Sequence, residues 1–111
     1  MRQKGQLTVK NLDFRLATQT EICVELGHRL KVQRLAKRFK QQSLAARAGV
    51  SVGTVKNMES KGQSSLDSFI RIVIALDLVS DLESLFELKT QTIADLERAE
   101  KLKNQLPRRI R

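Results

Sequence analysis

The chain has 111 residues and carries 21 Lys and Arg against 12 Asp and Glu, a formal net charge of +9. This length suits one domain with short appendages, and the excess of positive charge predicts a polyanionic partner, either a nucleic acid or an anionic membrane. The single Cys excludes an intramolecular disulfide, and no apolar run has transmembrane length or follows the basic N-terminus as in a signal peptide.

The N-terminal residues 1–17 are predicted to form an arm outside the folded domain. They are basic and weakly patterned, although Leu7 and Val9, extended by Leu12 and Phe14, alternate as they would in a short strand or an extended arm. This pattern leaves three roles open: an arm that contacts DNA, a strand that joins two copies, or a frayed end.

The first helix is predicted to run from Thr18 to about Lys37. Thr18 and Glu21 have the spacing of a capping box, in which each side chain bonds to the other residue's backbone N–H. An apolar stripe then recurs at helical spacing. The stripe consists of Ile22, Cys23, Leu26, Leu30 and Leu35. Gly27 within this helix predicts that another helix crosses close by.

The chain is organised around the segment from Phe39 to Glu59, which predicts two short helices joined by a tight turn. Gly49 ends the first of them, because a residue without Cβ takes the left-handed conformation at the least cost. Ser51 is a favourable N-cap for the second. The side chains predicted to face inward are Leu44, Ala45, Ala48, Val50, Val55 and Met58.

Basic residues collect around this segment. From Gly27 to Met58 there are eight Lys and Arg residues and no acid, whereas acids outnumber bases from Asp67 to Glu100. A helix face that is merely solvated usually mixes both signs. The distribution therefore predicts that the helical pair and the helix before it face DNA.

The helical pair resembles the helix-turn-helix regulators of the Cro/phage-repressor (XRE) family, and the similarity extends from about Leu26 to about Phe86. The residues that carry it are Gln41, Leu44, Ala45, Ala48, Gly49, Val50, Ser51, Thr54, Val55 and Glu59. The family usually has Ser or Thr as the cap of the first helix of the pair, whereas this chain has Lys40 there. The resemblance implies a five-helix domain whose second paired helix enters the major groove of DNA.

The outward face of the second paired helix is predicted to read bases. Asn57 suits bidentate bonding to adenine, Lys56 suits guanine, and Val52 suits contact with a thymine methyl group. Gly53 would allow the backbone to approach DNA closely.

Phosphates are predicted to bind beside this face. Gln41 and Ser51 lie at helix N-termini, where backbone N–H groups favour an anion. The complete set of predicted DNA-binding residues is Arg38, Lys40, Gln41, Ser51, Val52, Gly53, Thr54, Lys56, Asn57 and Lys61. One such unit covers few base pairs, so a homodimer on a palindromic operator is expected.

Two further helices are predicted to complete the domain. Ser60–Ser65 is a polar loop, and Ser65 caps the helix that closes the core. The apolar stripe of that helix consists of Leu66, Phe69, Ile70, Val73 and Leu76. Ser80 and Glu83 have capping-box spacing and predict a last short helix that ends near Phe86. The apolar residues left for a dimer interface are Leu7, Val9, Leu82, Leu85 and Phe86.

Residues 88–111 extend beyond the domain. Thr92 begins one more helix, and Pro107 ends it before a basic tail. The narrow apolar stripe of this helix consists of Ile93, Leu96, Ala99 and Leu102. An isolated helix of this length is marginal in water, so its stripe needs a surface to lie against. That surface is either a protein partner or the chain's own dimer.

A repressor-like domain with an Arg-rich tail is similar to the HipB-like antitoxins of HipA-type kinase toxins. The recognition helix carries a similar set, namely Gly53, Thr54, Val55 and Asn57. This second resemblance implies that the extension binds a HipA-like kinase toxin or its companion subunit. The residues expected to bind that partner are Ile93, Leu96, Leu102, Arg108 and Arg109.

The predicted fold is therefore all-α: an N-terminal arm (1–17), a five-helix repressor-like helix-turn-helix domain (18–87) and a C-terminal helical extension with a basic tail (88–111). The predicted function is a cytoplasmic, sequence-specific DNA-binding transcriptional regulator, an autoregulating antitoxin of a HipA-like toxin–antitoxin operon. The alternatives are a phage-type repressor and a restriction-modification controller protein, both without a toxin partner.

An enzyme is not predicted, because the sequence has no nucleophile with a base, no Gly-rich phosphate loop and no Cys/His ligand set. No metal or cofactor is expected for the same reason. Binding to an anionic membrane is not predicted either, because the basic run lies on a helix whose apolar stripe is needed for the core.

Overall fold

A computed structural model describes residues 12–89 and 91–106 of the chain. This part contains five α-helices and no strand, so the all-α prediction is confirmed. The helices are α1 (Gln19–Ala36), α2 (Gln41–Ala48), α3 (Val52–Lys61), α4 (Leu66–Ala75) and α5 (Ile93–Gln105). A 3₁₀ helix, Val79–Leu82, follows α4. None of these helices has the length and apolar character needed to cross a membrane.

Helix α1 begins at the predicted capping box. The Thr18 hydroxyl accepts a hydrogen bond from the Glu21 N–H (3.1 Å), and the Glu21 carboxylate accepts one from the Thr18 N–H (3.0 Å). Leu30 is buried in the core, but Leu35 is exposed, so the predicted extension of the stripe to Leu35 is wrong. The buried face continues instead from Leu30 to Arg34, one helical turn further along.

Helix α1 crosses α3 closely at two glycines. A Cβ atom on Gly27 would overlap the carbonyl oxygen of Met58, which confirms the predicted close crossing. A Cβ atom on Gly62 would overlap the backbone of Cys23. Gly62 also has a φ of 66°, where a side chain is strained whatever the space. Together these contacts fix the C-terminal end of α3 against α1.

The core lies where α1 to α4 meet. Its largest fully buried side chains are Leu44 of α2, Val55 of α3, Ile72 of α4, and Leu76 directly after α4. Burying an aliphatic side chain of this size stabilises a fold by about 1.5–3 kcal/mol. The other buried apolar residues of this cluster are Leu30, Ala45, Ala48, Met58 and Val73.

Helix α4 is capped as predicted, but its buried face differs in part from the predicted one. The Ser65 hydroxyl accepts a hydrogen bond from the Ser68 N–H (3.0 Å). Leu66, predicted to lie in the core, is 74% exposed, whereas Ile72, which was not predicted there, is 1% exposed. The face that packs inward is Phe69, Ile72, Val73 and Leu76, with the spacing i, i+3, i+4 and i+7. Leu66 lies on the same side of the helix, but it is the first residue of α4 and stands one turn before the part that packs on the core.

The loop before α4 is shorter than predicted. Ser60 and Lys61 belong to α3, which ends only at Gly62. The left-handed Gly62 bonds through its N–H to the carbonyl of Met58 (2.9 Å) and stops the helix there.

The segment after α4 is not the capped helix predicted from Ser80 and Glu83. Leu78, not Ser80, precedes the 3₁₀ helix, and no side chain caps it. The N–H of Asp81 bonds to the carbonyl of Leu78, three residues back, which is the 3₁₀ pattern. The positive φ of Asp77 (61°) sets the chain into this tighter turn directly after α4.

The residues before α1 form turns. The Leu16 N–H bonds to the carbonyl of Asp13 (2.9 Å), and residues 12–17 contain no strand, so the predicted extension of a strand to Leu12 and Phe14 is wrong. The guanidinium of Arg29 lies 5.2 Å from the centre of the Phe14 ring, a cation–π contact that fastens this turn to α1. Residues 1–11, with the predicted Leu7 and Val9, lie outside the described residues.

Candidate nucleic-acid interface

The turn between α2 and α3 has the geometry predicted from its residues. Gly49 ends α2 in the left-handed conformation (φ 72°). The Val50 N–H bonds to the carbonyl of Ala45 (3.1 Å), and the Val50 side chain packs against the core. The Ser51 hydroxyl accepts a hydrogen bond from the Thr54 N–H (3.0 Å) and caps α3. These contacts hold α3 at one angle across α2.

Helix α3 has a buried side and a polar, exposed side. Val55 and Met58 are buried in the core, as predicted. Lys56 and Asn57 are exposed, and Gly53 is exposed near the N-terminus of the helix. The exposed side chains therefore project from the helix on the side away from the core, where a groove of DNA would be met.

Three of the other predicted residues at the start of α3 are partly engaged within the protein. Val52 packs against the core and is only half exposed, which limits its reach to a thymine methyl group. The Ser51 and Thr54 hydroxyls lie 2.8 Å apart and share a hydrogen bond. The Ser51 hydroxyl already caps α3, so a phosphate that bonds to it would have to share it with the Thr54 N–H.

Gly53 has no internal reason to be glycine. Its φ is not positive, and a Cβ atom built on it would meet only the Ser51 hydroxyl, at 3.8 Å. Glycine in a helix is less favourable than alanine by up to about 1 kcal/mol. Since neither conformation nor packing within the described residues requires it, the bare backbone at Gly53 is a surface that a ligand can approach closely.

A buried ion pair joins α1 to the inward side of α3. The guanidinium of Arg34 donates to both carboxylate oxygens of Glu59, from Nε at 2.6 Å and from Nη2 at 3.1 Å. Their side chains are only 8% and 5% exposed. The same guanidinium donates to the carbonyl of Phe39 (2.7 Å), and the Gln41 amide donates to Glu59 (3.0 Å). One network thus joins α1, α3 and the start of α2.

This network modifies two predictions. Arg34 is one of the eight basic residues between Gly27 and Met58 that were predicted to lie around the DNA-binding face, but it is buried and paired with Glu59. Gln41, predicted to bind phosphate, has one of its two amide hydrogens on Glu59, which orients the rest of the amide. The burial of Arg34, though not its partner, is indicated by the sequence, because Arg34 follows Leu26 and Leu30 at steps of four on one face of α1.

The contact between Gln41 and Glu59 also brings the start of α2 beside the last turns of α3. Arg38 and Lys40 immediately precede α2. The Lys40 side chain makes no cap on α2, at the position where the XRE family usually has Ser or Thr. Arg38 is exposed in the left-handed conformation (φ 62°), in the turn that ends α1. Both cations therefore lie in the short connection that leads into α2.

Four predicted cations are free of ion pairs among the described residues. They are Arg38, Lys40, Lys56 and Lys61. Arg29, by contrast, lies 2.7 Å from the buried carboxylate of Glu25, so the acid-free stretch is less basic than its sequence suggests. Arg47 stacks on the Phe39 ring at 4.4 Å. Among the described residues, no group of His, Cys, Asp and Glu is arranged to hold a metal.

The predicted partner and dimer residues are exposed to different degrees. Ile93, Leu96 and Leu102 of α5 are all exposed. Arg108 and Arg109 lie outside the described residues. Of the predicted dimer residues at the end of the domain, Leu82 packs against the core, whereas Leu85 and Phe86 are exposed. Phe86 is 96% exposed and has a φ of 60°.

Comparison with known proteins gives no family: no protein-family model and no curated protein matches the chain.

Proposed function

We propose that the chain is a sequence-specific transcriptional regulator that binds double-stranded DNA through α3. The observation that carries the proposal is the exposed side of α3, which presents Gly53, Lys56 and Asn57. Arg38, Lys40 and Lys61, close to α2 and α3 in sequence, form no ion pair among the described residues. A recognition helix must be held rigidly, must expose side chains that can hydrogen-bond to bases, and needs phosphate contacts beside it. The turn and the core hold α3, which exposes Lys56 and Asn57, and Arg38, Lys40 and Lys61 would contact the phosphates.

The absence of a side chain at Gly53 is an argument for duplex DNA as the ligand. The N-terminal turn of a helix has unpaired N–H groups and a positive dipole, both of which favour a phosphate. With no side chain at Gly53, this turn can come close to the DNA backbone while Asn57, one turn further along, reaches base edges.

The regulator is proposed to act in the cytoplasm as a two-fold dimer on a palindromic operator. Selection from a random-sequence library of duplex DNA tests this. We expect enrichment of a palindrome whose half-sites are about 10 base pairs, or roughly 34 Å, apart from centre to centre. A library that stays unenriched after repeated rounds of binding would contradict sequence-specific recognition, and an enriched site without two-fold symmetry would contradict the dimer.

The two alternative functions of this regulator differ in the partner that α5 and the basic tail bind. As an autoregulating antitoxin, the chain would hold a HipA-like kinase toxin or its companion subunit through Ile93, Leu96, Leu102, Arg108 and Arg109. As a phage-type repressor or a restriction-modification controller, it would have no toxin partner. The exposed side chains of α5 support a protein contact of some kind in each setting. Co-purification with a kinase encoded beside the gene separates the two.

A further inference from the structure

Glu25 is a buried acid on the side of α1 that faces away from the core. It precedes Leu30 by five residues, which places it about 140° further round the helix. Helix α3 crosses on the Leu30 side, where it meets Gly27. The Glu25 side chain is nevertheless only 5% exposed, so a cover other than the core of α1 to α4 encloses it.

One oxygen of this carboxylate has no donor among the described residues. Arg29 donates from Nε to Oε2 of Glu25 (2.7 Å), and the Arg29 side chain is itself half exposed. Within residues 12–89 and 91–106, no group donates to Oε1. A buried polar atom without a hydrogen bond costs its full desolvation, and nearly all such atoms have a partner. The donor to Oε1 therefore belongs to a segment beyond the described residues.

The same side of α1 carries apolar side chains that the core does not use. Val32 follows Glu25 by seven residues, so it lies in line with Glu25 about two turns along. Val24 and Leu35 form a second row beside these two. All three apolar side chains are exposed. We call Val24, Glu25, Val32 and Leu35 the outer face of α1. A helix that is apolar on two sides needs a cover on both.

The chain before α1 reaches this outer face. The Phe14 ring stacks on the guanidinium of Arg29 at 5.2 Å, so the turn of residues 12–17 lies beside Glu25. Residues 1–11 precede this turn and can extend over roughly 36 Å. Helix α1 has 18 residues and is about 27 Å long. The preceding segment is therefore long enough to run along the whole outer face.

Residues 1–11 also have the chemistry that the outer face requires. Leu7 and Val9 offer apolar side chains two positions apart. Every backbone N–H of the segment is a donor, and so are three cationic side chains. Those side chains are Arg2, Lys4 and Lys10.

We propose that residues 1–11, the N-terminal arm, cover the outer face of α1 in the same chain. Leu7 and Val9 pack on Val32 and its apolar neighbours, and an N–H group of the arm donates to Oε1 of Glu25. The cover is the chain's own arm and not a second copy, because Phe14 already fastens the start of this segment to α1. The arm is then part of the folded domain, and is neither an arm on DNA, nor a strand between copies, nor a frayed end.

The reactivity of a thiol placed under the arm tests the proposal. The full chain with Cys23→Ala has no thiol, so Val32→Cys puts a single one on the outer face. Ile74→Cys, on the exposed side of α4, is the matched control. We expect the double variant L7D/V9D to raise the rate of thiol labelling at position 32 at least about tenfold, because losing the burial of even one such side chain releases the arm by that factor. The rate at position 74 should stay the same.

An unchanged rate at position 32 would overturn the proposal. An equal rise at positions 32 and 74 would overturn it too, since the arm variant would then act by opening the whole domain. Glu25→Ala should also raise the rate at position 32, whereas Glu97→Ala, at an exposed acid of α5, should not. No effect of Glu25→Ala would contradict the bond from the arm to Oε1.

Mixing two chains shows whose arm covers the face. The L7D/V9D chain with the thiol at position 32 is labelled in the presence of excess Cys23→Ala chain, which has an intact arm and no thiol. We expect the labelling rate to stay high, because each arm covers its own chain. Restored protection would overturn this arrangement and show that the arm is exchanged between copies. No DNA is present, so the result is independent of the proposed regulatory function.

Discussion

Replacing Arg34 with alanine is expected to lower the free energy of unfolding by about 3–5 kcal/mol. The change leaves the buried carboxylate of Glu59 with a single remaining hydrogen bond, from Gln41, in place of the two-pronged bond from the guanidinium. A buried charge without its partner is among the most destabilising defects in a protein. The carbonyl of Phe39 also loses its donor.

Denaturant unfolding followed by circular dichroism measures this loss. The matched control is Arg71→Ala, which breaks an exposed i, i+4 pair with Asp67 of nearly the same length (2.8 Å). That control should lose at most about 0.5 kcal/mol, because exposed pairs contribute little. Equal losses for Arg34→Ala and Arg71→Ala would show that the network behind α3 is not a structural support. Replacing Arg34 and Glu59 together with methionine should recover much of the loss, since no charge is then stranded.

Affinity for duplex DNA is expected to fall on the order of a hundredfold or more between about 50 and 200 mM salt. Each cation that neutralises a phosphate releases a condensed counterion, so several contacts give a steep slope. We expect Arg38, Lys40 and Lys61 to supply such contacts in each protomer, with Lys37 as a further exposed cation at the end of α1. Arg29 contributes less than its sequence position suggests, because Glu25 already holds it.

Single variants locate the contacts. Lys40→Ala should reduce the slope of log affinity against log salt by about one for each protomer, whatever the DNA sequence. Lys101→Ala in α5 removes an equally exposed positive charge and should leave the slope nearly unchanged. A flat salt response of the unmodified protein, or equal effects of the two variants, would contradict the assignment of this face to DNA.

Local features of the fold were predictable because they depend on neighbours in sequence. The caps at Thr18, Ser51 and Ser65 and the left-handed Gly49 each involve residues at most three or four positions apart. Such bonds leave a recognisable spacing in the sequence. The turn between α2 and α3 is made almost entirely of them, which is why it agrees with the structure, whereas α3 continues past Glu59 to Lys61.

Features that depend on tertiary contact were not predictable in the same way. The Arg34–Glu59 pair joins residues 25 positions apart, and nothing in either local sequence shows that they meet. The burial of Ile72 and the exposure of Leu66, one turn ahead of the packed part of α4, depend on how α4 packs on α2. The capping-box spacing of Ser80 and Glu83 was misleading, since the segment takes a 3₁₀ turn instead.

The candidate site contains both kinds of feature, those set by local sequence and those set by tertiary contact. Exposure of Lys56 and Asn57 follows from the period of α3 alone, whereas the partial burial of Val52 and the bond from Gln41 to Glu59 require the assembled core. The predicted contacts in residues 1–11 and 107–111 lie outside the described residues and stay predictions.

The central claim is that Asn57 reads a base from the exposed face of α3. The most direct measurement compares the affinities of Asn57→Ala for a selected operator duplex and for random duplex at one salt concentration. We expect the variant to lose about 1–3 kcal/mol on the operator while its affinity for random DNA is nearly unchanged. Asn104→Ala, an exposed asparagine on α5, is the matched control and should change neither. Equal losses of Asn57→Ala on both duplexes, or no loss on either, would contradict the claim.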